Sequence, residues 1–303
     1  MTRIVVVGDL MTDTVARAAF PLVKGSDTPA TVTVHHGGSG ANIAAWLAVD
    51  GAEVAFVGRC GADTAGRAGT MELNAYGVDA RLAVDPELPT GMCVVMVTHK
   101  GDHTVLSDPG ANAALSPGDL PNDLFTAGCH LHLSGYTLLN EGSRQAAVAA
   151  MYWALQAEMS VSVDGGSAAP LERMGAEPFL GLTGGASFLG ATLLIVNQAQ
   201  AAMLTGRDDP GQALRVLTAW YPQVVVTLGS DGAVFGSGRE PVRVPAQPPG
   251  KYVEGNGGRD AFCAGFLAPW LDNKPPAEAL ASGCRLAARA KVLPGGGPPP
   301  GGA

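Results

Sequence analysis

The sequence predicts an α/β fold: a doubly wound, mostly parallel sheet flanked by helices, with a small antiparallel β-sheet standing off it as a lid. Three observations predict it. Short apolar, β-branched runs recur at Arg3–Gly8, Glu53–Gly58, Cys129–Ser134, Ser160–Asp164, Thr192–Asn197 and Gln223–Gly229, the way strands buried on both faces read. Several lead into Ala/Leu-rich helical stretches, Ala41–Val49, Ser143–Ala157 and Gln198–Leu204, and that alternation builds sheets whose ligands gather at the carboxyl ends of the strands. Two further stretches behave differently. Thr31–His35 alternates polar and apolar residues, and Gly91–Thr98 with Thr104–Ser107 reads as a hairpin turning at Lys100-Gly101-Asp102-His103. They place the lid segments at about 14–35 and 84–108.

The main domain takes residues 1–293 of the 303. With 47% hydrophobic and 15% charged residues the chain is a folded one. Its 19 Lys+Arg against 27 Asp+Glu, a net charge of −8, leave no broad basic surface for a nucleic acid. The first apolar run stops at Asp9, too short for a signal segment or a membrane span. Five scattered cysteines without a C-x-x-C pair fit a reducing, cytoplasmic setting. From Pro294 to Ala303 the chain is almost all Pro and Gly, and this tail reads as disordered for want of side chains to offset ordering entropy.

Chemistry points to a few glycine-framed segments. In His36-Gly37-Gly38-Ser39-Gly40-Ala41-Asn42, glycines ahead of a helix let backbone N–H groups approach a ligand, and Asn42 adds an amide that suits a polyhydroxylated one. The segment is neither G-x-G-x-x-G nor a Walker loop, and a plain tight turn fits it equally. In Gly255-Asn256-Gly257-Gly258-Arg259-Asp260, glycines before the helix Ala261–Leu271 free amides for an anion. Asp260 there reads either as a first-turn cap or as a base that takes a proton from an attacking hydroxyl. Thr227-Leu228-Gly229-Ser230-Asp231-Gly232 is a turn between strands able to hold phosphate oxygens or to stand without a ligand. Asp13 is a loop carboxylate or a ligand for sugar hydroxyls. His130-x-His132 with Asp164 imitates a metal site, but the alternation fits a packed, hydrogen-bonded pair better.

Taken in order, these segments resemble the ribokinase-like, PfkB-type carbohydrate kinase family, from Gly8 to about residue 292. Gly37–Asn42 with Val57–Asp63 looks like the family's N-terminal signature. Pro109-Gly110-Ala111-Asn112, His132–Tyr136, Asp164, Asn197, Leu204-Thr205-Gly206 and Thr227–Gly232 fall where it has its other blocks. The resemblance implies that Asp13, Gly37, Gly38 and Asn42 grip the substrate, while Asn197, Thr227, Gly229, Ser230 and Gly232 line the nucleotide site. It makes Asp260 the catalytic base and the amides around Gly257, Gly258 and Arg259 an anion hole. It also implies ATP with Mg²⁺ held mainly by nucleotide and water, with no direct protein ligand, and a homodimer formed through the lid. Three departures stand out: Arg259 in place of a glycine, Gln200 in place of a Glu that helps to organise hydrated magnesium, and Glu254-Gly255 in place of an Asp-Thr pair tied to a monovalent cation. If the position of Arg259 needed a positive φ, the backbone would be strained. The resulting expectation is an ATP-dependent kinase of a small sugar or sugar-like alcohol. A nucleoside kinase and a catalytically weak sugar- or nucleotide-binding member are the alternatives.

Overall fold

The computed structural model describes residues 2–98, 103–185, 190–248, 250 and 257–299. The strands are β1 Ile4–Val7, β2 Met11–Ala18, β3 Ala30–Gly37, β4 Val54–Gly61, β5 Asp79–Asp85, β6 Gly91–Val97, β7 His103–Asp108, β8 His130–Leu133, β9 Ser160–Asp164, β10 Leu193–Asn197, β11 Gln223–Thr227, β12 Ala233–Gly236 and β13 Val242–Val244. The helices are α1 Ser39–Val49, α2 Thr64–Ala75, α3 Gly135–Leu139, α4 Arg144–Gln156, α5 Ala168–Met174, α6 Ala176–Thr183, α7 Gln198–Thr205, α8 Pro210–Leu217, α9 Gly258–Leu271 and α10 Pro276–Ala290.

Nine strands form one sheet in the order β13-β12-β11-β10-β9-β8-β1-β4-β5. Every pair from β11 to β5 is parallel, and only β12 and β13 run antiparallel at one edge. The period-2 geometry of the strands divides their side chains between two cores. Val5, Val7, Leu131, Leu133, Val161 and Val163 pack with Ala147 and Met151 of α4 on one face. Ile4, Val6, Val54 and Phe56 pack with Ala44 and Leu47 of α1 and Phe266 of α9 on the other. This double burial is why the strands read as unbroken apolar runs.

The smaller sheet has the order β3-β2-β6-β7. It is not wholly antiparallel as expected: β2 and β6 pair in parallel, because each enters it from the end of a main-sheet strand, β1 and β5. β2 starts at Met11, so Asp13 lies on the lid itself rather than in a loop. The expected turn at residues 100–102 lies outside the described residues.

The Val57–Asp63 block joins the main sheet to the start of the smaller one. Arg59 near the end of β4 forks onto Asp119 (2.9 and 3.0 Å) and Asp85 (3.0 and 2.9 Å), so it ties β4 to β5 and to the turn at residues 117–119 that follows β7. Asp63 caps α2, accepting from the Gly66 N–H at 2.8 Å, and also takes the N–H and hydroxyl of Thr90 at 2.8 and 2.7 Å. Burial raises its pKa, but those donors prevail and hold it below the usual carboxylate value.

The Pro/Gly tail departs from expectation. Residues 294–299 lie along α1 and α2, where Trp46 donates to the Gly296 carbonyl (3.0 Å) and Tyr76 to that of Pro298 (2.8 Å). Lacking side chains, the segment is fastened by its backbone. Residues 300–303 lie outside the described ones.

Asp63→Ala should cost about 1–2 kcal/mol at neutral pH, the usual value of a lost N-cap. Because the native pKa is depressed, the deficit is present above the unfolded value and shrinks as pH falls through the native one. Urea unfolding of both chains across pH checks it.

Candidate active site

The site is assembled where the ends of β1, β8 and β9 meet the first turns of α1 and α9. Gly38, with φ 95°, caps α1 without a side-chain bond of its own. Asp9, two residues past β1, does the capping from outside: it accepts the Ser39 N–H at 3.0 Å, the Gly40 N–H at 3.1 Å and the Ser134 hydroxyl at 3.3 Å. The amides that the sequence offered to a ligand are therefore spent on an internal carboxylate. Burial lifts the Asp9 pKa above its ordinary value, and the Gly40 and Ser39 amides oppose the rise.

With those amides occupied, α1 turns side chains toward α9. Ser39 Oγ donates to Asp260 Oδ1 at 2.9 Å and Asn42 Nδ2 to Oδ2 at 3.0 Å, so both oxygens of a carboxylate that is 6% exposed are held. The first intrahelical bond of α9 runs from the Ala261 N–H to the Gly257 carbonyl, leaving the amides of Gly258, Arg259 and Asp260 ahead of it. That is an anion-accepting helix start beside an acid.

Arg259 is in this first turn with helical geometry, and the positive φ, 78°, belongs to Gly257. The departure from glycine thus carries no backbone strain. Its Nη2 stands 3.6 Å from Asp260 Oδ1, and Nη1 donates to the Gly166 carbonyl. At an effective permittivity near 20 the ion pair is worth about 5 kcal/mol before desolvation, the same order as the penalty for burying a carboxylate. Burial prevails: it raises the Asp260 pKa above the ordinary value, with Arg259, Asn42 and Ser39 pulling it partway back. For Arg259, burial works against the charge but Asp260 and Asp164 overcome it, holding the guanidinium firmly protonated.

The other residues singled out in the sequence fall into two groups. Asp13 is buried on β2 against the backbone of Gly37, opposite His35 and Cys93, on the lid face that bears the site. Asn197 and Thr227 are neighbours at the carboxyl ends of β10 and β11. Gly229 and Ser230 form the short turn after β11, closed at Gly232 with φ 91°. Asn197 caps α7 in a reciprocal box with Gln200, whose Nε2 donates to the carbonyls of Gly165 (3.1 Å) and Gly166 (2.9 Å). The structure thus joins Asn42, Gly257, Gly258, Arg259 and Asp260 in one cluster and keeps Asn197, Thr227, Gly229, Ser230 and Gly232 in a second. Glu254, Gly255 and Asn256 lie outside the described residues. Asp9 and Ser39 had no role in the sequence reading; Asp9 follows Gly8 at a strand end, the position where such ligands gather. An open depression of about 550 Å³ beside Glu141, Arg144, Tyr152 and Trp153 lies on the opposite face of the sheet and takes no part.

The profile of the pfkB family carbohydrate kinases matches residues 1–295. The chain belongs to this family. Among similar proteins, an uncharacterized sugar kinase of Archaeoglobus fulgidus is 28% identical over 246 residues, 79% of this chain and 91% of its own. A fructokinase of Klebsiella pneumoniae is 30% identical over 237 residues, 77% and 76% of the two chains. The adenosine kinase of Sinorhizobium meliloti shares the fold with a TM-score of 0.88 at 23% identity, covering 98% of this chain and 95% of that one. As a carbohydrate kinase, a phosphotransferase acting on an alcohol group, the protein sets a nine-stranded, mostly parallel sheet beside a smaller four-stranded one.

Gly257 binds the tail to this site. A Cβ there would stand 2.8 Å from the Gly296 carbonyl carbon, on a backbone that favours glycine. Gly257→Ala should therefore cost about 1–3 kcal/mol and expose the tail, checked by urea unfolding and by the rate of proteolysis within residues 294–299.

Proposed function

We propose that the chain transfers the terminal phosphoryl group of ATP to a hydroxyl of a small sugar or sugar-like substrate, with Asp260 as general base. The observation that carries this reading is the pairing of a buried carboxylate, held at both oxygens by Ser39 and Asn42, with the amides that precede the first described intrahelical bond of α9. Asp260 accepts the acceptor's hydroxyl proton, and the freed oxygen attacks the terminal phosphorus in line as its bond to the bridging oxygen breaks and ADP leaves with that electron pair. The amides of Gly258, Arg259 and Asp260 receive the negative charge spread over the transferring group. Asp13, Gly37, Gly38 and Asn42 are the substrate-facing residues. The turn 229–232, with Asn197 and Thr227, lines the nucleotide, at the strand ends where this architecture collects ligands.

Mg²⁺ enters this scheme on the nucleotide. Gln200 spends both ends of its amide on backbone groups, accepting from the Asn197 N–H and donating to Gly165 and Gly166. Among the described residues no group of three His, Cys, Asp or Glu is placed to hold a metal. His130 and His132 are instead packed and hydrogen-bonded to serines. Cytoplasmic residence is supported by the five free cysteines, and no described helix is long and apolar enough to cross a membrane.

The lid supplies the reading of a homodimer. Val32 (59% exposed), Val34 (63%), Met92 (48%) and Leu106 (57%) project from one face of the smaller sheet by register. Such an apolar face is suited to covering by its copy.

Release of ADP is to be measured over a panel of sugars and nucleosides, with and without K⁺. A sugar-dependent signal supports the proposal, a nucleoside-only signal replaces the substrate class, and nucleotide binding without ADP release replaces catalysis by binding. Asp260→Asn should lower turnover at least about 10²-fold with ATP affinity within a few fold. Turnover of the parent should fall with acid through a pKa above the ordinary carboxylate value, since only the ionised base acts. In sedimentation, Val34→Asp should convert a dimer to monomer; a parent already monomeric removes the dimer reading.

A further inference from the structure

The face of β8 and β9 under α9 is polar where its neighbours are apolar. Residues two apart share a face, and the register sets His130 beside Ser160 and His132 beside Ser162. They join in a row. Ser160 Oγ meets His130 Nδ1 at 2.7 Å, His130 Nε2 meets Ser162 Oγ at 2.7 Å, and Ser162 Oγ meets His132 Nδ1 at 2.8 Å. His132 Nε2 then stands 3.5 Å from Asp164 Oδ2. Burial, with His132 adding to it, pushes the His130 pKa down to about 3, so His130 is neutral and serves the row as one donor and one acceptor. α9 covers the row from Trp270, packed edge-on to His130 at 5.5 Å, to Arg259 at the far end.

A buried polar row is costly unless its members are satisfied. Its final member, Asp164, accepts the Gly166 N–H at 2.6 Å, and the nearby charge of Arg259 favours its ionised form. The Arg259 guanidinium donates to the Gly166 carbonyl, lies 5.9 Å from the Tyr136 ring centre and faces Asp260 at 3.6 Å. Gln200 donates to the same Gly166 carbonyl. A Glu at 200 would set a carboxylate against two carbonyl oxygens, so Gln200 and Arg259 fit this loop as a pair.

We propose that Arg259 is a positioning residue for Asp260: held from behind by its bond to the Gly166 carbonyl, its guanidinium is a built-in counter-charge that keeps the buried base ionised and aimed. The inference rests on the reading of Asp260 as the base. When the acceptor O–H bond breaks and the proton moves to Asp260, the electron pair stays on the attacking oxygen, and Arg259 keeps its bond to the Gly166 carbonyl. The groups facing the pair are Asp260 and the Cys263 thiol on α9, Asp164 on β9, His132 on β8, Tyr136 on α3 and Asp9 beyond β1, with neutral Ser39 and Asn42 on α1. Burial raises Cys263 and Tyr136, so neither titrates in the acidic range.

The test is a pH titration of the full chain carrying ¹³C-labelled aspartate carboxyls, read by NMR without any ligand. The Asp260 signal is assigned by its loss in Asp260→Asn. In Arg259→Gln its midpoint should rise by at least about one pH unit, the effect of removing an opposite charge at this range. A midpoint equal to the parent's overturns the proposal. Arg259→Lys, which keeps charge without the fork, is the second arm. With ATP and the acceptor giving most ADP release in the panel, its kcat should fall about tenfold with KM for ATP within about threefold, and an unchanged kcat overturns the positioning role. Turnover of Asp260→Asn, measured alongside, separates the two ideas: an active variant retires the base, whereas an inactive one with an unmoved Arg259→Gln midpoint retires only the counter-charge.

Discussion

Withdrawing Asp260 from water at the start of α9 obliges distant parts of the chain to supply it with partners, because a buried carboxylate without donors or an opposite charge costs several kcal/mol. Those partners arrive from α1, as Ser39 and Asn42, and from the adjacent Arg259. Asp9 takes the amides at the start of the helix that presents Ser39 and Asn42. The first turn of α9 is seated by the contact of Gly257 with Gly296 in the tail. One ionisable group thus fixes the relation between the first strand, two helices and the last described segment.

The sheet contributes in a different way. Its parallel strands bury both faces and bring β1, β8, β9, β10 and β11 to one rim, where both residue clusters lie. Under α9 it gives up apolar packing for the serine–histidine row, which ends at Asp164. A change read in the sequence as the loss of a glycine is, in the fold, a cation with three contacts: Asp260, the Tyr136 ring and the Gly166 carbonyl.

What was legible in the sequence was local. The apolar runs of β1, β8, β9, β10 and β11 announced buried strands, and Gly37–Asn42 and Gly257–Asp260 announced helix starts framed by glycine. Asn42 and Asp260 were each singled out, but their contact spans 218 positions and no periodicity encodes it. α2 and β5 were not read because their residues are mostly half-exposed and polar at the surface, which weakens both periodic signals. The feared strain at Arg259 did not arise, since the positive φ falls two residues earlier. The tail was read as disordered from composition alone, which cannot register that bare carbonyls bind Trp46 and Tyr76.

The central claim is that the start of α9 holds the transferring phosphoryl group while Asp260 takes the acceptor's proton. A crystal structure with a non-hydrolysable ATP analogue and the identified acceptor tests it most directly. The account predicts the terminal phosphate within hydrogen-bond distance of the amides of residues 258–260 and the acceptor hydroxyl on the Asp260 carboxylate. A terminal phosphate bound away from that turn would contradict it.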